Sequence, residues 1–425
     1  MKKNKVAIVG LGYVGLPLAL LAKRKGFSVV GIDKDQKKVD LINKNISPFE
    51  DEMCQKYLAK FPIPSSTSFE KVSECDIVVI CVPTPVYSNN LPNLEPVKSS
   101  SEKVAEYLKK GQLVILESTV NPGVSEEVVI PIIEEISSMQ VSKDFYFAHC
   151  PERINPGDAK WNVENINRVV GAPDKKSLKL AADFYRAILT GTVKEMASLK
   201  EAEAVKVVEN SFRDVNIAFV NELARSFHSL GIDVVNVIDG AATKPFSFMP
   251  HYPGCGVGGH CIPVDPYYLI EYAKKSDFDH DFLSLARRIN NHMPKFTVDM
   301  VIEGLNQQKA AINGAKVAVL GLSYKQNIDD CRESPSFKII KQLKKVGARV
   351  VAYDPHVKHL SDVTNLEAAL KGAKAILIAT SHDEFKKITP KKLVENKVKV
   401  VVDGRNCLNK KIFEGTGIVY KGIGR

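Results

Sequence analysis

The chain of 425 residues contains no apolar run approaching the roughly 18 residues of a membrane span, so no membrane association is expected. Its first residues carry the charges of a signal peptide, but no cleavage site follows, and a cytoplasmic location is expected. The eight cysteines show no paired spacing that would mark disulfides or metal ligands, so reduced thiols and no metal are expected. The formal charge is +10, yet the lysines are scattered, with no long basic block and no interleaving of aromatic and basic residues. That describes a solvated surface biased toward anionic ligands such as phosphates, and argues against a nucleic-acid partner. What remains is an ordinary composition, 44% hydrophobic and 25% charged, and room for two or three domains at roughly 100–200 residues each.

The first apolar run, Lys5-Val-Ala-Ile-Val9, reads as a buried parallel strand. Gly10-Leu11-Gly12-Tyr13-Val14-Gly15 follows at once, Leu16 to Lys25 reads as a helix, and a second strand, Ser28 to Ile32, ends in Asp33. GxGxxG between strand and helix lets a pyrophosphate approach the helix N-terminus, where unpaired N–H groups and the dipole favour anions. Asp33 stands about 18 residues past Gly15, near the roughly 20 expected of a carboxylate that binds the adenosine ribose. It would repel a 2′-phosphate, so NAD is expected in place of NADP; the alternative is a βαβ unit that holds no ligand. Further strands at 75–82, 113–117 and 145–148 end in Pro83-Thr84-Pro85, Ser118-Thr119-Val120 and His149-Cys150-Pro151-Glu152-Arg153. In open parallel sheets ligands sit beyond the carboxyl ends of the strands. Thr84, Ser118, Thr119 and Glu152 are therefore candidates for cofactor or substrate contact, or else caps of the following helices.

Residues 199–230 run without proline or glycine to Gly231, as expected of one long helix linking two domains. Lys206 and Asn210, four apart, share a face. They could hold a developing oxyanion, or belong to a solvated polar face. Then comes Pro253-Gly-Cys-Gly-Val-Gly-Gly-His-Cys261-Ile-Pro-Val-Asp265-Pro266. Its glycines let a ligand approach the main chain, so Cys261 reads either as a nucleophile or as a buried thiol in a tight turn. Helices are expected over 267–275 and 281–291, and Gly304 to Gly314 reads as the approach to a further domain. Lys316 to Leu320, followed by Gly321-Leu-Ser-Tyr-Lys325, repeats the N-terminal strand and glycine turn without the second and third glycines. With strands at 349–353, 375–379 and 398–402 it forms a second α/β unit, able to hold a nucleotide without the dinucleotide fingerprint.

These motifs, with Val82-Pro-Thr-Pro85, Glu117-Ser-Thr119, Cys150-Pro-Glu-Arg153, Glu209-Asn-Ser-Phe-Arg-Asp-Val-Asn216, Gly258-Gly-His-Cys261, Asp329-Asp-Cys-Arg-Glu-Ser-Pro335 and Asp403-Gly-Arg405, carry a resemblance. From end to end the chain resembles the UDP-glucose/GDP-mannose dehydrogenase superfamily. The resemblance implies an α/β protein with an N-terminal Rossmann NAD-binding domain (1–198), a central helical dimerisation domain with the long connecting helix and the catalytic loop (199–305), and a C-terminal Rossmann-like UDP-sugar-binding domain (306–425). It implies a homodimer or higher homo-oligomer that oxidises the C6 alcohol of a nucleotide sugar to a carboxylate with two NAD and one water. On the family pattern Cys261 traps the intermediate aldehyde and Lys206 and Asn210 hold the oxyanion. Thr119, Glu152 and Asp265 support them, the two carboxylates sharing water positioning and proton transfer. Gly10, Gly12, Tyr13, Val14, Gly15, Asp33, Thr84, Ser118 and Thr119 would hold NAD. Glu152, Arg153, Lys206, Asn210, Gly258, Lys325, Arg332 and Arg405 would hold the UDP-sugar.

UDP-glucose dehydrogenases commonly carry Pro-Lys-Asp after the cysteine. Here the run is Cys261-Ile-Pro-Val264-Asp265, with His260 before the thiol, which resembles the branch acting on UDP-N-acetylhexosamines. Glu152-Arg-Ile-Asn-Pro-Gly-Asp158 and Phe246-Ser-Phe-Met-Pro250 are closer to UDP-N-acetylglucosamine 6-dehydrogenases, whereas the run at 213–218 also occurs in UDP-N-acetylmannosamine dehydrogenases. The expected substrate is UDP-N-acetylglucosamine, with UDP-N-acetylmannosamine or UDP-glucose as alternatives. Cys255 stands where that branch often has proline. Two other classes fit parts of the chain. A two-electron 3-hydroxyacid dehydrogenase needs neither the thiol nor the second α/β unit. A protein that binds NAD and a nucleotide sugar without turnover has no need of Lys206, Asn210 and Cys261 together.

Overall fold

A strand apolar on both faces, as Lys5–Val9 is, belongs inside a parallel sheet. In the computed structural model, which describes residues 4–49, 51–87, 91–154 and 160–425, it becomes β1 of a six-stranded sheet. The other strands are β2 (Ser28–Ile32), β3 (Ser65–Ser66), β4 (Ile77–Ile80), β5 (Leu113–Leu116) and β6 (Tyr146–His149). They lie in the order β3-β2-β1-β4-β5-β6, every pair parallel. Side chains alternate between two cores. Val6, Ile8, Val29 and Ile115 pack with Leu16 and Leu20 of the helix Gly15–Arg24 and Tyr185 of the helix Lys175–Ile188. Ala7, Val9, Val78 and Val114 pack with Val104 and Ile133 on the other face. A parallel ribbon of β7 (Arg168–Val170) and β8 (Val193–Glu195) accompanies this sheet.

The second sheet contains β9 (Lys316–Leu320), β10 (Arg349–Tyr353), β11 (Ala375–Ile378), β12 (Val400–Asp403) and β13 (Val419–Gly422). Its order is β10-β9-β11-β12-β13, again all parallel, the other common doubly wound arrangement. Val317, Val319 and Val402 face Val301 and Leu343, while Ala318, Ile376 and Val401 face Leu366 and Phe385.

The chain divides into two compact units, residues 1–209 with 267–279, and 210–266 with 280–425. The helix Leu199–Leu230 has the 32 uninterrupted residues its sequence indicates. The helix expected over 281–291 instead runs from Asp281 to Gln307, through Pro294 and Gly304. A Cβ at Gly304 would lie 2.5 Å from Val400 Cγ1. Glycine there serves close packing of helix on strand, and that contact overrides its poor helix propensity. β13 and the helix Val234–Ala242 have no counterpart in the sequence reading. Among the described residues no helix is long and apolar enough to cross a membrane. Residues 155–158 of the Glu152–Asp158 motif lie outside the described residues.

Candidate active site

The GxGxxG turn divides its labour. Gly10 has φ +93°, and a Cβ there would meet the Cys81 carbonyl oxygen at 2.6 Å. A Cβ at Gly15 would fall 1.8 Å from the Gly10 carbonyl oxygen. Both glycines are demanded by the fold. Gly12 is different: nothing stands within 4 Å of where its Cβ would be. That leaves an open approach at the N-terminus of the helix Gly15–Arg24, whose first turn carries no acidic residue, as a pyrophosphate requires. Tyr13 lies against Phe49, with ring centroids 4.3 Å apart.

Asp33 closes β2, nearly buried. Its Oδ2 accepts from Leu11 N (2.8 Å) and Lys38 Nζ (2.9 Å), and its Oδ1 from Asp35 N (3.0 Å). Burial opposes its charge, but the Asp35 and Leu11 amides and Lys38 prevail and hold the carboxyl below its ordinary range. Lys38 escaped the sequence reading; its only signal is its place on the helix Gln36–Asn43, which directly follows Asp33. Of the other strand-end candidates, Thr84 accepts from Tyr268 Oη through its carbonyl (2.6 Å), and Ser118 donates its hydroxyl to the Val82 carbonyl (2.7 Å). Thr119 is half-buried beside it.

Glu152 is 7% exposed. Its Oε1 accepts from Arg153 N and Ile154 N, both at 2.6 Å, and its Oε2 from Arg168 Nη2, also at 2.6 Å. Arg153 turns its guanidinium to Glu209 (2.5 Å) and to the Asn167 carbonyl (2.9 Å). Lys206, half-buried, belongs to this first unit.

The glycine loop belongs to the second unit, with Asn210, Cys261 and Asp265. The loop has no regular structure before Asp265, but it is tethered along its length. Gly254 N donates to Asn221 Oδ1 (2.9 Å), Cys255 N to the Gly404 carbonyl (3.0 Å) and Gly259 N to the Arg332 carbonyl (3.0 Å). Glycines are needed because neighbours press close: a Cβ at Gly258 would lie 2.7 Å from Tyr324 Cβ, and one at Gly256 (φ +139°) 2.8 Å from Pro335 Cβ. The Cys261 carbonyl accepts from Val264 N (3.0 Å) and Asp265 N (2.8 Å), closing the turn into the helix Asp265–Ala273. Asp265 is buried and its Oδ2 accepts from Asn210 Nδ2. Sequence spacing paired Asn210 with Lys206; the structure gives it a carboxylate as a hydrogen-bond partner.

Of the remaining expected substrate residues, Arg405 donates from Nε to the Ala379 carbonyl (2.8 Å) and Arg332 pairs with Asp330 (2.6 Å). A Cβ at Gly254 would lie 2.8 Å from Arg405 Nη1, so that glycine makes room for the guanidinium. Lys325 is half-buried, its carbonyl accepting from Ser323 Oγ (2.9 Å).

The two cysteines of the loop are unlike. Cys255 is fully buried, its thiol directed at the Ala379 carbonyl (3.4 Å), and it fills the space beside Gly404, where a Cβ would come within 3.1 Å of its own. That accounts for Cys255 as core. Cys261 is partly exposed. Burial pushes the thiols of Cys54, Cys81, Cys150, Cys255 and Cys407 upward, which disfavours their thiolates. Among the described residues no group of His, Cys, Asp and Glu could hold a metal ion.

Residues 4–189, 200–292 and 318–410 match, in order, the NAD binding, central and UDP binding domain models of the UDP-glucose/GDP-mannose dehydrogenase family. The chain belongs to this family. As a member it is an NAD-dependent nucleotide-sugar dehydrogenase, with an NAD-binding domain, a central helical domain and a UDP-binding domain. It is 36% identical to the UDP-N-acetyl-D-mannosamine dehydrogenase of Pyrococcus horikoshii over 99% of both chains. It is 37% identical to the UDP-N-acetyl-D-glucosamine 6-dehydrogenase of Pseudomonas aeruginosa over 91% of this chain and 92% of that one. A solved structure of the P. horikoshii UDP-D-ManNAc dehydrogenase superposes with a TM-score of 0.93 at 35% identity, covering 99% of each chain.

Proposed function

We propose that this dehydrogenase oxidises the C6 alcohol of a UDP-N-acetylhexosamine, UDP-N-acetylglucosamine first, to the uronic acid through a covalent adduct on Cys261. The observation that carries this reading is the setting of Cys261. It is a partly exposed thiol in a tethered glycine loop, one turn before a buried aspartate bonded to Asn210. The turn at Gly10, Gly12 and Gly15 together with Asp33 and Lys38 fits NAD, which when bound supplies the hydride acceptor for both oxidations. The Cys261 thiolate adds to the aldehyde formed in the first, so that the aldehyde neither escapes nor hydrates. The resulting thiohemiacetal gives up a hydride and a proton to become a thioester. Water, deprotonated by a carboxylate, displaces the thiolate and releases the acid. Lys206 and Asn210 stabilise the oxyanion at each stage. Asp265 and Glu152 position the water and carry its proton, with Thr119 in support. Arg153, Gly258, Lys325, Arg332 and Arg405 hold the UDP-sugar, arginine's planar fork suiting phosphate.

The choice of hexosamine rests on the Phe246–Pro250 approach and on the glucosamine enzymes of P. aeruginosa and Salmonella typhi, 37% and 36% identical. UDP-N-acetylmannosamine is the second reading, supported by the end-to-end match to the P. horikoshii enzyme. NADH formation with UDP-GlcNAc, UDP-ManNAc, UDP-GalNAc and UDP-glucose side by side tests both, and two NADH per acid are expected. Cys261→Ser is expected to stall without releasing acid; full turnover by that variant overturns the covalent role. We place the domain boundaries at 198/199 and 305/306, and a homodimer along the long helix, on which Phe212 and Phe219 stand exposed seven residues apart. A monomer in sedimentation would refute the dimer.

A further inference from the structure

Behind Glu152 lies a group of buried side chains to which the reaction assigns no part. Arg168, on β7, is 0% exposed. Its Nη2 donates to Glu152 Oε2 at 2.6 Å, and its Nη1 stands 3.7 Å from Glu117 Oε2. Glu117, at the end of β5, is also buried; its Oε1 accepts from Tyr185 Oη (2.5 Å) and its Oε2 lies 3.8 Å from Cys81 Sγ. The Arg168 Nε and Nη1 atoms have no hydrogen-bond partner.

A buried guanidinium with one well-made hydrogen bond is a poor stabilising device. Desolvation of the unsatisfied nitrogens offsets much of the attraction, and apolar side chains of like volume usually do as well. What the arrangement does supply is direction. Glu152 Oε1 is fixed by two backbone amides, and without Arg168 the carboxylate could still pivot about that oxygen. The Nη2 bond removes this freedom, and the Glu117 carboxyl, held by Tyr185, stands against Nη1 at the other end of the fork. We propose that Arg168 is a positioning residue for the Glu152 carboxylate, with Glu117 as its counter-anchor. This rests on the proposed part of Glu152 in the hydrolytic step.

The test is a double-mutant cycle in the full-length enzyme, with kcat and KM for UDP-sugar and NAD measured on Arg168→Lys, Arg168→Met, Glu152→Gln and Arg168→Met/Glu152→Gln. Misplacing a reacting group by about 1 Å can lower the rate roughly 100-fold. We expect kcat to fall roughly 10-fold in Arg168→Lys and roughly 100-fold in Arg168→Met with both KM values within about twofold of wild type. In the Glu152→Gln background the further loss on removing Arg168 should be less than about twofold, because nothing is left to position. A merely structural arginine would lower kcat by the same factor in both backgrounds, and that additive outcome overturns the proposal, as does wild-type kcat in a folded Arg168→Lys. Should Arg168→Met fail to fold, Arg168→Lys and its double variant complete the same cycle. Wild-type turnover by Glu152→Gln alone would instead refute the reading of Glu152, and the positioning role with it.

Discussion

Asp33 and Asp354 follow the same construction. Each stands just past the second strand of its sheet, β2 or β10, and each accepts a hydrogen bond from the residue after the first glycine, Leu11 or Leu322. Gly10 and Gly321 both have positive φ, +93° and +101°. Beyond that the halves part. In the first, the helix begins at Gly15, directly behind the turn, and Asp33 carries Lys38. In the second, the corresponding helix begins only at Pro335. Asp354 is wholly buried and accepts from Leu322 N, Ser323 N, His356 N, Val357 N and His382 Nε2, all between 2.6 and 3.1 Å. One carboxylate keeps some exposure and the lysine of the following helix; the other is wholly enclosed by its donors. The same starting motif ends in different surroundings according to what the following residues bring to the acid.

The largest effect should come from the internal member. Asp354→Ala strands five donors, and denaturant unfolding should show a loss of about 3 kcal/mol or more, while the NAD Kd of the folded fraction stays within about twofold. The crossed result is expected of Asp33→Ala. Calorimetry should show NAD affinity lower by about 10- to 100-fold, the worth of one or two charge-assisted hydrogen bonds, with a smaller loss of unfolding free energy than in Asp354→Ala, because fewer donors are stranded. If both variants lose stability and keep affinity, the division of roles is wrong.

A third effect is read in the pH dependence of stability. The donors around Asp354 hold its folded pKa far below the ordinary carboxylate value despite burial. Its contribution is therefore present above about pH 4 and is lost as pH falls further. Glu117, equally buried in the first half, goes the other way: burial outweighs Arg168 and pushes its carboxyl up to about 7. Between about pH 4.3 and 7 the folded state holds a proton that the unfolded chain has released, so stability falls as pH rises through that window. Urea midpoints across pH 3–8 should drop at both ends, Asp354→Asn flattening the acid limb and Glu117→Gln the neutral one. The smallest effect is that of Lys38→Met, a few-fold rise in the KM for NAD that shrinks with added salt, as befits a partly exposed pair. No change at low salt would remove Lys38 from the cofactor site.

Much of this was legible in the residues. β1, the glycine turn, β2 and Asp33 form a local pattern, and the long helix is bounded by its own lack of breakers and by Gly231. Legibility failed where distant contacts decide. Gly304 looks like a break until Val400 is seen against it. Cys255 looks anomalous until Gly404 supplies the space it fills. Arg168 and Glu117, and Asn210 and its partner Asp265, are single residues far apart in the chain, whose meeting no spacing announces.

The tethers at Gly254, Cys255 and Gly259 bear on the energetics of substrate capture. A loop without secondary structure would ordinarily be ordered by its ligand, at the expense of affinity. Here three backbone amides already donate to Asn221, Gly404 and Arg332, so the loop's conformational entropy is surrendered during folding. On the proposed reaction a UDP-sugar would meet a preorganised surface, and its binding free energy would remain available for aligning C6 with the Cys261 thiol.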